Sequence, residues 1–346
     1  IESGKSGIRF IDRFDTSELP CHIAGQLRDF NPLDFISKAN HKRWHRAVHQ
    51  SMAAAKLAIA DAEFDPCPYP TERVAVGIGT SVGNPDETYR YWSKVYQEKG
   101  WEHIDKLAST ANSGHASTAN VSAQFGYQGP AVTIASGCAT GLDVLHWGRE
   151  QIRLGLADAA IIGATEAPLE ELGFAGTCSL GILSKETKDP ATAMKPFDRR
   201  AEGLVLAESA VVLVIERADL AEARGARILG EVAGCGSAAE GNNPIVLERE
   251  GGAVSRAILA ALADAGMTPN DVDCAHCHGV SLTNYDRCET HGYKIALGDH
   301  AYRIPITATK SMIGQAYSCG GLLSLSAALM TLDRGIMPAT LNHAEP

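Results

Sequence analysis

AVTIASGCATGLDVL (131–145) and ITATKSMIGQAYSCGGLLSL (306–325) follow one plan: a short apolar run, a turn of small and polar residues, then a helix-periodic run. What precedes them also repeats. Residues 47–62 place Val48, Met52, Ala55 and Ile59 on one helical face before the strand candidate VAVGIG at 74–79. Residues 253–266 place Val254, Ile258, Leu262 and Ala265 on a face, stop at Gly266, and lead into the strand candidate DCAHCHG at 273–279. The chain therefore reads as two βα halves of one duplicated unit, residues 1–216 and 217–346, joined near the charged stretch ERADLAEARG at 216–225. No Pro/Ser-rich linker separates them, so one body is expected. The near-continuous apolar strands AVTI, AAII and VVLVI suit α/β sheets covered by helices on both faces.

Composition narrows the function. With 346 residues, 45% hydrophobic and 21% charged, the chain can bury a large core and carries no disordered tail. A formal net charge of −10 without a basic stripe argues against nucleic acid and against an anionic membrane surface. The apolar run from Leu204 to Ile215 contains Glu208 and is too short to span a bilayer, and no signal-like segment opens the chain. A cytoplasmic protein is expected, its nine scattered cysteines reduced rather than paired. The first residue, Ile1, is not methionine, which points to a native start further upstream.

Three turns carry chemistry. In SGCATG, Cys138 ends a buried strand just before a helix, where unpaired N–H groups and the helix dipole should lower the thiol pKa and make it a nucleophile. In CHGVSLTNYDRCET, His278 ends a strand, with Asp286 and Glu289 following on the next helix. The third turn carries Lys310 and Gln315. Polar turns at corresponding ends of a duplicated fold converge on one pocket. The spacing of CAHCH (274–278) also matches haem attachment, and with Cys288 and His291 it offers a zinc reading. Neither is preferred, because neighbouring strand residues point to opposite faces and His278 is better used in the pocket.

With these turns, KPFDRRAEGLVLAES (195–209), GIRFIDRFDTSELPCHIAGQLRDFNPLDF near the start and PATLNH near the end, the chain resembles the β-ketoacyl-acyl carrier protein synthases, specifically the elongating, thiolase-fold condensing enzymes. The resemblance runs essentially throughout. It implies a thiolase-like fold of layered α-β-α-β-α arrangement, truncated at both ends: the opening strand and helix and a C-terminal Gly-Phe-Gly segment are expected to lie outside this chain. It implies an acyltransferase that loads an acyl group on Cys138 and condenses it with malonyl carrier protein, in fatty-acid or polyketide biosynthesis. His278 would stabilise the malonyl thioester carbonyl, Lys310 would organise the site, and Glu289 and Asp286 would support it. No cofactor or metal is implied, since the phosphopantetheine arm arrives on the carrier protein. That acidic partner would dock on SKANHKRWHR through Lys38, Lys42, Arg43 and Arg46, and a homodimer or a heterodimer with a second ketosynthase-like subunit would form through AVTI and ANVSAQFGYQ.

The sequence departs from the family pattern at three positions. Gln315 stands where a second histidine is usual, and Val280 and Leu282 replace the two threonines that contact pantetheine. An amide cannot become a cation but can donate an N–H to a developing oxyanion, and the chain-initiating branch uses Cys-His-Asn. These departures keep two alternatives open: a chain-length-factor-like partner subunit and an acyltransferase that does not decarboxylate.

Overall fold

Alternation along VAVGIG sets the architecture. The computed structural model describes residues 1–83, 86–243 and 247–346. Its strands are β1 (Ile8–Phe10), β2 (Ile23–Gly25), β3 (Val74–Gly79), β4 (Ala131–Val132), β5 (Ala159–Glu166), β6 (Ser209–Glu216), β7 (Ala275–His276) and β8 (Ile306–Thr307). Its helices are α1 (Lys38–Arg43), α2 (Arg46–Asp61), α3 (Asp86–Lys99), α4 (Ala108–Ala111), α5 (Ala116–Phe125), α6 (Thr140–Arg153), α7 (Glu171–Ser179), α8 (Ala218–Ala223), α9 (Gly252–Ala265), α10 (Thr283–Leu297), α11 (Lys310–Ile313) and α12 (Gly320–Arg334).

In β3, Val74, Val76 and Ile78 point to one face of the sheet and join Met52 and Ile59 of α2 and Val121 of α5 in a buried cluster. Ala75, Gly77 and Gly79 face the other way, toward α6. A Cβ on Gly77 would lie 2.9 Å from Val144 Cγ1 and 3.0 Å from the Trp147 ring, so these glycines let α6 lie close on the sheet. The close fit brings the start of α6, and the turn before it, to the C-terminal end of β3. In β5 the same alternation sends Ile161 to the α2 side and Ile162 to the α6 side.

The sheet order is β4-β3-β5-β6, with β3 parallel to both neighbours and β6 antiparallel to β5. On the far side of α6 lies α12, whose Leu322 shares a buried cluster with Val144 and Leu145. α12 packs in turn on β7, which pairs with β8 in parallel. Beyond that pair lies α10, with Thr290, Tyr293 and Leu297 facing Cys277 and Ile306 across a cavity of about 130 Å³. The layers run helix, sheet, helix, sheet, helix, as the thiolase-like expectation required. Among the described residues no helix is long and apolar enough to cross a membrane.

Three details differ from the sequence reading. VVLVI, expected to be buried on both faces, is mostly half-buried because β6 lies at a sheet edge. β4 forms a ladder only at Ala131 and Val132 and is the opposite edge, with Ala131 exposed. The second sheet is shorter than DCAHCHG implied: it pairs Ala275 with Ile306 and His276 with Thr307, and extends by one bond at each end, from Ala275 N to Pro305 O and from Cys277 N to Thr307 O. The α9 face of Val254, Ile258, Leu262 and Ala265 is correspondingly half-buried.

Candidate active site

Cys138 lies in a single 3-10 turn, Gly137–Ala139, between β4 and α6. Gly137 has φ +67°, which a side chain would strain, and its carbonyl accepts a 2.7 Å bond from Ser81 Oγ. Ser136 N donates to Thr140 Oγ1 at 2.8 Å, closing the turn from its other side. The equivalent turn of the second half, Tyr317–Cys319, packs directly on it. Duplication has thus placed the two strand-to-helix turns face to face.

The side chain that bridges them is Gln315. Its Nε2 donates to Cys138 Sγ at 3.1 Å, and the residue is 2% exposed. Its main chain is anchored separately: Gln315 N donates to Val205 O at 2.8 Å and its carbonyl accepts from Ala207 N at 2.9 Å. Gly320, the first residue of α12, leaves room for this arrangement. A Cβ there would come within 3.1 Å of Lys310 Cε and 3.2 Å of Gln315 Oε1.

Lys310, 1% exposed, donates from Nζ to the carbonyl of His278 at 2.7 Å. Burial pulls its pKa down, opposed by the Glu289 charge. Glu289 Oε1 and Oε2 accept the N–H groups of His278 (2.6 Å) and Gly279 (2.8 Å). Burial raises the pKa of Glu289 against those bonds and against Lys310. Asp286 accepts from Val280 N and Phe197 N, each at 2.8 Å. The His278 imidazole is held well below its ordinary pKa by burial and then by the Lys310 charge, so it is neutral at pH 7. The site therefore gathers Cys138, His278, Lys310, Gln315 and Glu289, with Asp286 bracing the turn behind them.

The thiol itself corrects one expectation. The pKa of Cys138 is raised, not lowered: burial dominates, while Lys310 and the Gln315 hydrogen bond act the other way and Glu166 adds to the rise. The helix start is present as expected, and loss of solvation is the largest influence on the thiol.

Sequence reading missed Glu166, fully buried at the end of β5. Its Oε1 accepts from Thr80 Oγ1 at 3.0 Å and from Ser81 N and Val82 N, fixing the loop whose Ser81 supports Gly137. A carboxylate ending the apolar run AAIIGAT was its signal. Val280 is buried and Leu282 packs into an apolar cluster, so neither offers a hydroxyl.

The proposed basic docking face also changes. Lys38 and Lys42 are exposed on α1. Arg43 is half-buried, with Nε 3.7 Å from Asp105. Arg46 does not belong to that face: Nε and Nη2 bond Glu208 at 2.6 and 2.8 Å, and the guanidinium lies over the Phe30 ring. Arg13 and Gln50 complete the enclosure of the Glu208 carboxylate. Among the described residues no three of His, Cys, Asp and Glu are grouped to hold a metal ion.

Comparison with known proteins covers nearly all of the chain. A family model for the beta-ketoacyl synthase N-terminal domain matches residues 1–221, and its C-terminal counterpart matches 229–344. The chain is 32% identical to the tetracenomycin polyketide synthase ketoacyl synthase alpha subunit of Streptomyces glaucescens, covering 100% of this chain and 82% of that one. It is 34% identical to 3-oxoacyl-[acyl-carrier-protein] synthase 2 of Staphylococcus aureus, with 99% and 85% covered. A solved type II polyketide ketosynthase, in complex with its acyl-carrier protein and bound to a hexaketide, superposes with TM-score 0.89 at 28% identity, with 100% and 84% covered.

Proposed function

The chain belongs to the beta-ketoacyl synthase family, and from that premise we propose that it catalyses acyl transfer to Cys138 followed by decarboxylative condensation with malonyl carrier protein. The observation that carries the reading is the 3.1 Å bond from Gln315 Nε2 to Cys138 Sγ, made inside the cluster of His278, Lys310 and Glu289.

The first step forms a bond between Cys138 sulfur and the acyl carbon and breaks the bond to the carrier's thiol. The thiol proton of Cys138 leaves with that thiol. Burial disfavours the transient thiolate, and Gln315 with Lys310 offsets the penalty. Once acylated, the sulfur is a poor acceptor, which frees the Gln315 amide. Malonyl thioester then loses CO₂, and the electron pair passes to an enolate whose oxygen needs donors. The neutral His278 ring and the Gln315 amide supply them. The enolate carbon attacks the acyl carbon, the bond to sulfur breaks, and the thiolate of Cys138 is restored. Lys310 holds the His278 carbonyl, and Glu289 holds the N–H groups on either side of that carbonyl. Residues 1–216 would thus bring the nucleophile and 217–346 the donors.

The phosphopantetheine arm arrives on an acyl carrier protein, and the chain itself holds no cofactor in this reading. Docking falls to Lys38, Lys42 and, at its edge, Arg43. A second ketosynthase-like subunit, identical or not, would pair with the open edge of β4 beside the 119–128 segment.

Intact-mass measurement of Cys138 acylation and separate measurement of CO₂ release test the proposal. Acylation that is absent from Cys138→Ala, together with CO₂ release from malonyl carrier protein, is expected. Acylation without CO₂, with or without a partner subunit, would leave a plain acyltransferase. Neither would point to a partner subunit that only shapes the acyl pocket.

A further inference from the structure

An acyl group on Cys138 must lay its tail somewhere, and one residue outside the reacting set stands in the way. Tyr317 follows Gln315 by two positions and has φ +38°, a conformation that costs a tyrosine stability and persists only when its surroundings impose it. They do. Gln315 is tied on one side to Val205 and Ala207, and on the other Ser318 Oγ donates to Thr165 O at 3.3 Å while Cys319 N donates to Ala316 O at 2.9 Å.

The Tyr317–Cys319 turn packs against the Cys138 turn, while the Tyr317 ring packs on the buried cluster of Leu169, Phe174, Cys178, Leu183 and Leu204. Burial, with the nearby Cys138 and Glu166, raises the pKa of the Tyr317 hydroxyl, and Thr177 of α7 acts the other way. Tyr317 is therefore interposed between the thiol and this apolar cluster, fixed at its backbone and packed through its ring.

We propose that Tyr317 is a specificity-determining residue that closes the route from Cys138 into this cluster and restricts the enzyme to short acyl groups. The inference rests on the acyl-transfer reading above and adds the size class of the acyl substrate. A chain long enough to need the cluster must displace a ring whose backbone is held and which packs on that cluster. A short acyl group does not.

The test is loading of acetyl, butyryl, hexanoyl, octanoyl and decanoyl pantetheine thioesters, read as intact mass at Cys138. The wild type, Tyr317→Ala and Tyr317→Phe are compared, with thermal unfolding to confirm that each is folded. Wild-type protein should load acetyl and butyryl groups and fall off with length. Tyr317→Ala should recover the longer chains by roughly tenfold for every two methylenes that gain burial. Tyr317→Phe keeps the ring and should leave the profile close to that of the wild type. Identical length profiles in wild type and Tyr317→Ala, or a wild type that already loads decanoyl as fast as acetyl, would overturn the inference while leaving acyl transfer intact. No loading of any chain by any of these proteins would overturn the acyl-transfer reading and the inference together.

Discussion

Replacing Gln315 by leucine isolates the contact on which the site is built. Leucine keeps nearly the same volume, and the main-chain bonds of residue 315 to Val205 and Ala207 do not depend on its side chain. Gln315 Oε1 has no hydrogen-bond partner among the described residues, so losing the amide also removes an unsatisfied buried acceptor, and the fold should survive. What disappears is the 3.1 Å donor to Cys138 Sγ. A hydrogen bond to a charged group contributes about 1.5–3 kcal/mol, and one pKa unit corresponds to about 1.4 kcal/mol, so the thiol should rise by about one to two units. The sign follows from the donor favouring the thiolate: without it the thiol holds its proton to higher pH. Alkylation with iodoacetamide across a pH series, read at the Cys138 peptide so that the other cysteines do not interfere, should show the midpoint moving up. In the range where little thiolate exists, the rate should drop about ten- to a hundredfold. CO₂ release from malonyl carrier protein should fall further, by about a hundred- to a thousandfold, as for loss of one oxyanion donor. An alkylation midpoint that does not move would refute the claim that this amide tunes the thiol.

Three other substitutions probe separate parts of the argument. Gly320→Ala should separate stability from activity: alanine favours the start of α12 by up to about 1 kcal/mol, yet its Cβ crowds Lys310 and Gln315, so the melting temperature should hold while condensation drops. Glu208→Gln should destabilise the fold by about 3 kcal/mol at pH 7 in urea titrations, because it leaves Arg13 and Arg46 without their buried partner. Burial pushes the Glu208 pKa up, but Arg46 and Arg13 together hold it below its usual value of 4.5. Its contribution is therefore full above pH 4.5 and is lost as pH falls through the lower folded value, so the gap between variant and wild type should close in acid. Reversing Lys38 and Lys42 to glutamate should slow acylation from carrier protein at low salt, with little effect at high salt or with free pantetheine thioesters; a uniform effect on both donors would place those lysines outside docking.

The parts of this molecule that could be read from sequence are those in which residue type and chain position carry the information together. VAVGIG and the repeated strand-turn-helix plan located β3, α6 and α12, and Cys138, His278, Lys310 and Gln315 stand at the turns that plan predicts. Where tertiary partners decide, the chain alone misleads. Arg46 reads as one more charge in a basic run, because the carboxylate that holds it is Glu208, 162 positions away. Glu166 is indistinguishable by type from a surface charge until the loop at Thr80–Val82 closes on it. The thiol pKa was misjudged for the same reason: a helix start is visible locally, whereas burial is a property of the assembled fold.

The clamp of α10 on the turn after β7 has a consequence for how this site can vary. The N–H groups of His278, Gly279 and Val280 are already committed to Glu289 and Asp286, so this stretch has no main-chain donor left for a ligand. In the proposed reaction, negative charge developing beside it would be met by side chains, the imidazole of His278 and the amide of Gln315. Donors of that kind can be exchanged by a single substitution without rebuilding any backbone. That freedom is compatible with a glutamine at position 315, and it makes the position a natural place to retune the chemistry while the turn itself stays fixed.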